Sequence, residues 1–338
     1  MTAAPAHSDT LARAVGRFRT APGDIASYDT DVATAARALR VGEEQIGHLA
    51  QAGLPHAYDA LGALRFDYDD LMNVGMFCGT GQTVPELGLR FLMRFAATGR
   101  SDWFAPRAWE VGVHPARTTA GAPAEDTGPL PNVRVRLPDH LGPGVELLDG
   151  AELPDGELAD GGYRVAVRLT GADRQVRDPA VREVWDEVVG TLAAREVLYQ
   201  TVPERLRADH RRAWALGMAD CVVASRLLAD RLTARGYRAR ARRGYLLGLF
   251  GSDHAWCEVE EDGAYRSLDP VFAFVSLLGD KARGVARSPE FAEACFGGRF
   301  NRLLPCRTET AAPLVYFADA PAPYWAMAGV GARPRRTS

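Results

Sequence analysis

The sequence predicts an α+β fold in which a helix that opens on a cysteine is followed by strands. Three observations carry this. The stretch "LGMADCVVASRLLADRLTARGY" (216–237) sets Val223, Ala224, Leu227, Leu228 and Leu232 at helical spacing, with Arg226, Asp230, Arg231 and Arg235 on the other side. Downstream, "HAWCEVE" and "AYRSLDP" flank the turn signal "EDG", the pattern of a β-hairpin. Upstream, a mostly helical region gives way to a β-rich segment.

Taken in order, residues 1–110 form the N-terminal region. "ATAARALRVGEEQIGHLAQAGLP" ends in a Gly-Leu-Pro stop, and "VPELGLRFLMRFAATG" is an amphipathic run with Thr83 as cap and Gly99 as stop. The segment from Val41 to Leu71 resembles a winged helix-turn-helix of the MerR or excisionase kind. Its acidic groups outnumber its arginines, whereas a DNA reader presents a basic face. The acidic run Asp67, Asp69, Asp70 reads as a solvated helix start before it reads as a cation site. Residues 111–175 are expected to be β-rich: "WEVGVHP", "NVRVRLP" and "YRVAVRLTG" alternate with period two, and "TTAGAPAEDTGPLP" is an expected exposed loop. Residues 176–275 form the expected core. It opens with the helix "DPAVREVWDEVVGTLAAREVL", continues through the helix that starts at Cys221, capped by Asp220 and stopped by Gly236, and ends with the strands "YRARARRGYLLGLF", "HAWCEVE" and "AYRSLDP". Residues 276–338 are a C-terminal extension with an expected frayed, Pro- and Arg-rich end.

The 338 residues are 47% hydrophobic and 25% charged with a net charge of −3, an ordinary globular composition without the basic excess of a nucleic-acid binder. No run approaches the ~20 apolar residues of a membrane span. The first twenty residues lack the apolar stretch of a secretory signal, so a cytoplasmic protein is expected. Cys78, Cys221, Cys257, Cys295 and Cys306 are odd in number and widely spaced, which suits neither a disulfide framework nor a zinc ribbon. Lys281 is the lone lysine among 40 basic residues, which reads as GC-rich bacterial coding rather than chemistry.

The candidate chemistry starts at Cys221. A thiol in the first turn of a helix meets the positive end of the helix dipole, which favours a thiolate. A hairpin loop at Glu261–Asp262 would pair His254 with Asp269, and a loop at Asp262–Gly263 would pair Asp269 with Trp256. Either register sets His254 and Asp269 on one sheet face, roughly 5–8 Å apart at Cβ. Nucleophile, base and orienter are then all present. Cys257 alternates away from His254, so the two do not converge on a metal. "GTGQTV" lacks the third glycine of a dinucleotide fingerprint, and neither a P-loop nor an HExxH motif occurs. No cofactor and no metal are expected. Arg238, Arg240 and Arg242 alternate along one strand, either as an exposed face or as phosphate contacts.

These blocks together resemble the transglutaminase-like superfamily, a branch of the papain-like cysteine fold. The resemblance rests on Cys221, on Gly236-Tyr237-Arg238-Ala239-Arg240, on His254-Ala255-Trp256-Cys257-Glu258-Val259 and on Leu268-Asp269-Pro270, in that order. It covers about residues 176–275. It implies a Cys221–His254–Asp269 triad and acyl chemistry through a thioester. Oxyanion donors would be the Cys221 N–H and an upstream side chain, for which Trp185 and Gln200 are the competing candidates, with Trp185 also readable as a core aromatic. The expected function is amide-forming acyl transfer in small-molecule biosynthesis, from a free or carrier-protein-bound acyl donor to an amine acceptor. The alternative is an amidase, protease or deamidase using the same triad. Neither nucleic acid nor membrane is an expected partner.

Overall fold

The computed structural model describes residues 6–117, 130–249, 253–280, 284–308, 312–323 and 325–335. Most of the expected loop at 118–131 lies outside them. The chain is mixed α+β, and its sheets are antiparallel apart from one two-stranded parallel pair, Leu198–Tyr199 with Met218–Ala219. It divides into two units, each discontinuous in sequence. Among the described residues no helix is long and apolar enough to cross a membrane.

The first unit comprises residues 1–89, 118–126 and 197–220. In chain order it contains β1 (Tyr28–Asp31), α1 (Val32–Leu39), α2 (Glu43–Gln51), β2 (His56–Tyr58), β3 (Leu64–Asp67) and α3 (Tyr68–Phe77). The two helices α1 and α2 are followed by the β2–β3 hairpin, and β3 lies between β1 and β2. The sequence reading expected mostly helix here. The three strands are only three or four residues long, too short to show a period-two pattern.

The acidic run is a helix start, and two of its three carboxylates, Asp67 and Asp70, are buried rather than solvated. Asp67 caps α3 by accepting from the Asp70 N–H at 3.1 Å, and its other oxygen accepts from Ser27 N–H at 2.8 Å. Asp70 is fully buried and accepts from Ala21 N–H at 3.0 Å, while its second oxygen has no partner. Burial, then the Asp67 charge, pushes the Asp70 carboxyl up to about 7. Burial pushes Asp69 up to about 8. Among the described residues no group of three or more His, Cys, Asp or Glu side chains is arranged to hold a metal ion.

The second unit comprises residues 90–117, 127–196 and 221–338. Beside the short helices Arg100–Phe104 and Pro289–Ala294, it contains α4 (Pro179–Ala193), α5 (Cys221–Ala234), β4 (Ala239–Leu246), β5 (Asp253–Glu261), β6 (Ala264–Leu268), α6 (Pro270–Leu278), β7 (Phe296–Gly297) and β8 (Leu303–Arg307). These strands form one five-stranded sheet in the order β7-β6-β5-β4-β8. Its two outer strands come from beyond residue 275. The sequence hides both: β7 has two residues, and β8 carries Pro305, which an edge strand tolerates. Asp178 caps α4, accepting from Ala180 N–H at 2.9 Å, with Pro179 in the first turn. Arg231 of α5 reaches Glu187 of α4 at 2.8 Å.

Two four-stranded sheets complete this unit. Residues 107–117, 145–147 and 163–169 form one with Ala326–Pro334, and residues 133–136 and 158–160 form the other with 315–317 and 320–321. The expected frayed end is therefore corrected. Ala326–Pro334 pairs with 109–117 along its whole length, because small and apolar residues alternate there and suit a half-buried strand.

One glycine sets the central sheet. Gly244 pairs with His254 on one side and Pro305 on the other. A Cβ at this position would collide with the Leu304 carbonyl oxygen and the Pro305 Cα. Gly244→Ala should therefore destabilise the protein by about 1–3 kcal/mol, the usual cost of overpacking. Denaturant unfolding checks this, and an unchanged midpoint would refute the contact. A second prediction concerns Asp70. Its folded carboxyl titrates above its unfolded one, so this group favours folding at low pH and loses that contribution as pH rises through about 7. Asp70→Asn should stabilise the chain at pH 8. The gain should shrink as pH falls from 7 to 4, at up to about 1.4 kcal/mol per pH unit. Melting curves of both proteins across that range measure it.

Candidate active site

Cys221 is the first residue of α5 and is 8% exposed. The helix is buried more completely than its sequence pattern indicates. Residues 221–225 are all buried, including Ser225, whose hydroxyl donates to the Val222 carbonyl at 3.1 Å. Gly236 follows with φ +89°, the left-handed conformation of a helix stop.

His254 sits on β5. The β5–β6 hairpin turns at Asp262 and Gly263, whose φ values of +53° and +73° define a tight two-residue turn. Glu261 then opposes Ala264 and Cys257 opposes Leu268. Continuing this register sets Asp269 opposite Trp256 and diagonal to His254, on the same face. The carboxylate closes the gap: Asp269 Oδ2 lies 2.6 Å from His254 Nε2. Both residues are buried, His254 at 5% and Asp269 at 1% exposure. Cys221 is near enough to act on the same imidazole, raising its pKa. The fold thus brings Cys221, His254 and Asp269 together. With Nε2 held by Asp269, the ring nitrogen left for the thiol is Nδ1.

Asp269 does not close a strand, as its sequence position suggested. It caps α6, and its Oδ1 accepts from the Phe272 N–H at 2.9 Å. Its own N–H donates to the Cys295 carbonyl at 3.1 Å. Phe272, one turn into α6, stacks on the imidazole with ring centroids 4.1 Å apart. The sequence reading missed this role of Phe272. A signal was available: Asp-Pro followed by the apolar run "VFAFVSLL" is a helix start, and it ties the third helical residue to the Asp269 cap.

Electrostatics follow from the geometry. Burial opposes a charge on His254, but the Asp269 charge and hydrogen bond, then Cys221, outweigh it and push the imidazole up to about 10. Burial drives the thiols of Cys257 and Cys295 well above their ordinary range. Cys257 occupies the opposite parity of β5 from His254. All five cysteines are free.

The two oxyanion candidates are elsewhere engaged. Trp185 in α4 is buried and packs against Phe296 at 5.5 Å, as a core aromatic does. Gln200 belongs to the first unit, where its amide accepts from the Arg19 N–H at 3.0 Å and donates to the Arg19 carbonyl at 2.7 Å. Among the described residues neither is hydrogen-bonded to Cys221, His254 or Asp269.

No protein-family profile and no curated protein matches the chain. A crystal structure of a "putative cysteine protease" from Cytophaga hutchinsonii aligns with 69% of this chain and 92% of its own, at 11% identity and a TM-score of 0.34. A likeness at that level carries no argument about function.

The Asp269–His254 pair makes a testable statement about charge. The folded imidazole titrates above its unfolded value. Its contribution to stability is complete below about 6.5 and is lost as pH rises through about 10. Asp269→Asn keeps an acceptor for the Phe272 N–H but removes the charge. The His254 ring should then titrate at lower pH, measured by the chemical shifts of the imidazole carbons. An unmoved titration would mean that another group holds the proton.

Proposed function

We propose that the chain is a cysteine-dependent acyltransferase of the transglutaminase-like kind, with Cys221 as nucleophile, His254 as base and acid, and Asp269 as orienter. The observation that carries this reading is the buried 2.6 Å pair of His254 and Asp269, whose imidazole also feels Cys221 at the start of α5. Asp269 fixes the ring and favours its protonated form. His254 takes the thiol proton, and the Cys221 sulfur attacks the acyl carbon of the donor. A sulfur–carbon bond forms, and the donor's leaving group departs with the proton from the imidazolium. In the second half an amine gives its proton to His254 and attacks the thioester. The amide bond forms, the carbon–sulfur bond breaks, and Cys221 regains its thiol. The Cys221 N–H at the helix start is the oxyanion donor in this scheme.

Burial of the thiol favours transfer over hydrolysis in this reading. An acyl group on a cysteine that is 8% exposed meets little bulk water, so a bound and oriented amine has the advantage. We therefore place amide formation ahead of amide cleavage, with a small-molecule or carrier-borne thioester as donor.

Cys221→Ala should abolish turnover, a loss of several powers of ten, with the fold retained. Wild-type protein should form an adduct with an N-acetylcysteamine thioester, seen by intact mass and mapped to Cys221. That adduct should persist alone and discharge to an amine. An adduct lost at one rate whatever amine is added, together with cleavage of peptide or glutamine amides, would favour the hydrolase. An active Cys221→Ala variant would overturn the nucleophile itself.

A further inference from the structure

The face of β5 that carries His254 also gathers cations. Side chains two apart share a sheet face, so Trp256 and Glu258 follow His254 along it. On β4, Arg242 opposes Trp256 and Arg240 opposes Glu258. Near this row lies a cavity of about 40 Å³, whose lining includes Arg174, Arg240, Arg242, Arg266, Arg299 and Glu258. Glu258 is the one carboxylate in that lining, and it is already engaged: it accepts from Arg240 Nε at 2.8 Å and from the Trp256 indole at 3.3 Å. Arg266 faces Glu261 at 4.0 Å.

Two of these guanidiniums, on Arg242 and Arg299, bond to neutral atoms instead. Arg242 is 1% exposed; it donates to the His140 carbonyl, and its Nε is buried without a partner. Arg299 donates to the Thr170 carbonyl at 2.7 Å. A buried charge satisfied by carbonyls alone is costly, and a counter-anion removes that cost. Burial holds both groups below the ordinary arginine range, with Glu258 pulling against it.

We propose that this cavity is an anion site that takes the phosphoryl group of a phosphorylated ligand. Five guanidiniums against Glu258 in the lining and Glu261 beside Arg266 still leave more positive charge than a single carboxylate ligand neutralises, and a phosphate monoester brings nearly two negative charges. Guanidinium forks match phosphate oxygens in pairs. The volume suits a compact terminal group, with the rest of the ligand lying outside. Glu258 is four residues from His254, about 13 Å along the strand. The phosphate has two sources. It belongs to the acyl donor, bound here while its thioester lies at Cys221, an assignment that rests on the acyl-transfer reading. Or it belongs to a free phosphorylated effector.

Calorimetric titration with inorganic phosphate, against chloride at matched ionic strength, tests the site. Wild-type protein should bind phosphate saturably, one per chain. Arg299→Gln and Arg242→Met should each weaken binding at least tenfold, with near-ultraviolet circular dichroism reporting that the fold is intact. Arg299→Gln is the control should the buried Arg242 variant fail to fold. An absence of saturable binding, or equal binding by the folded variants, would overturn the proposal. Loading of Cys221 from an acyl-phosphopantetheine, compared with the same acyl-pantetheine without phosphate, separates the sources. A preference for the phosphorylated donor that disappears in Arg299→Gln identifies the donor's phosphate. Equal loading with phosphate binding intact identifies a free anion. If neither thioester loads Cys221, the acyl-transfer reading fails, while the titration still decides the pocket.

Discussion

A single carboxylate, Asp269, joins three parts of the second unit. One oxygen caps the helix that follows it, and the other holds the imidazole of His254; its own amide is tied to the Cys295 carbonyl. A cap and an orienter are usually separate residues. Here the backbone geometry that starts the helix also aims the carboxylate across the sheet. The helix returns the favour through Phe272, which stacks on the ring that Asp269 holds. The imidazole is thus fixed in plane by a ring and in rotation by a charge. Neither restraint depends on a loop. That is how a fold holds reacting groups within the small tolerance that chemistry needs.

Charge is placed differently in the two units. In the first, the Asp67 and Asp70 carboxylates are buried close together, and burial pushes Asp70 up to about 7. In the second, buried charge is mostly cationic. Some arginines pair with carboxylates, as Arg243 does with Asp253. Others, such as Arg242 and Arg299, make hydrogen bonds to carbonyls. Arginine stays charged at any pH a protein meets, so it cannot escape burial by releasing its proton as a carboxylic acid escapes by binding one. The same desolvation therefore drives a carboxyl towards its neutral form in one unit and leaves guanidiniums that keep their charge in the other.

The sequence made some of this architecture legible and hid the rest for physical reasons. The helix at Cys221 and the hairpin joining His254 to Asp269 were readable because both depend on local patterns: apolar spacing, a turn dipeptide and strand parity. Parity alone placed His254 and Asp269 on one face, whichever of two registers held. The sheet partners were not readable. β7 and β8 pair across long stretches of chain, and nothing local marks them. The strand at Ala326–Pro334 ends in Arg333 and Pro334, and those masked its alternation. For Trp185 and Gln200 the neighbours are Phe296 and the Arg19 backbone, contacts that no local pattern marks.

The nine-residue pairing of 109–117 with 326–334 joins parts of the chain more than two hundred residues apart. A ribosome makes the first strand long before the second. During synthesis one side of the 107–117 strand waits without its partner, and an open edge of that length invites pairing with other chains. The order of assembly is therefore constrained. The four-stranded sheet gains this outer strand only after residues 326–334 are made. Topology thus leaves the shielding of one long strand edge to a segment synthesised far later.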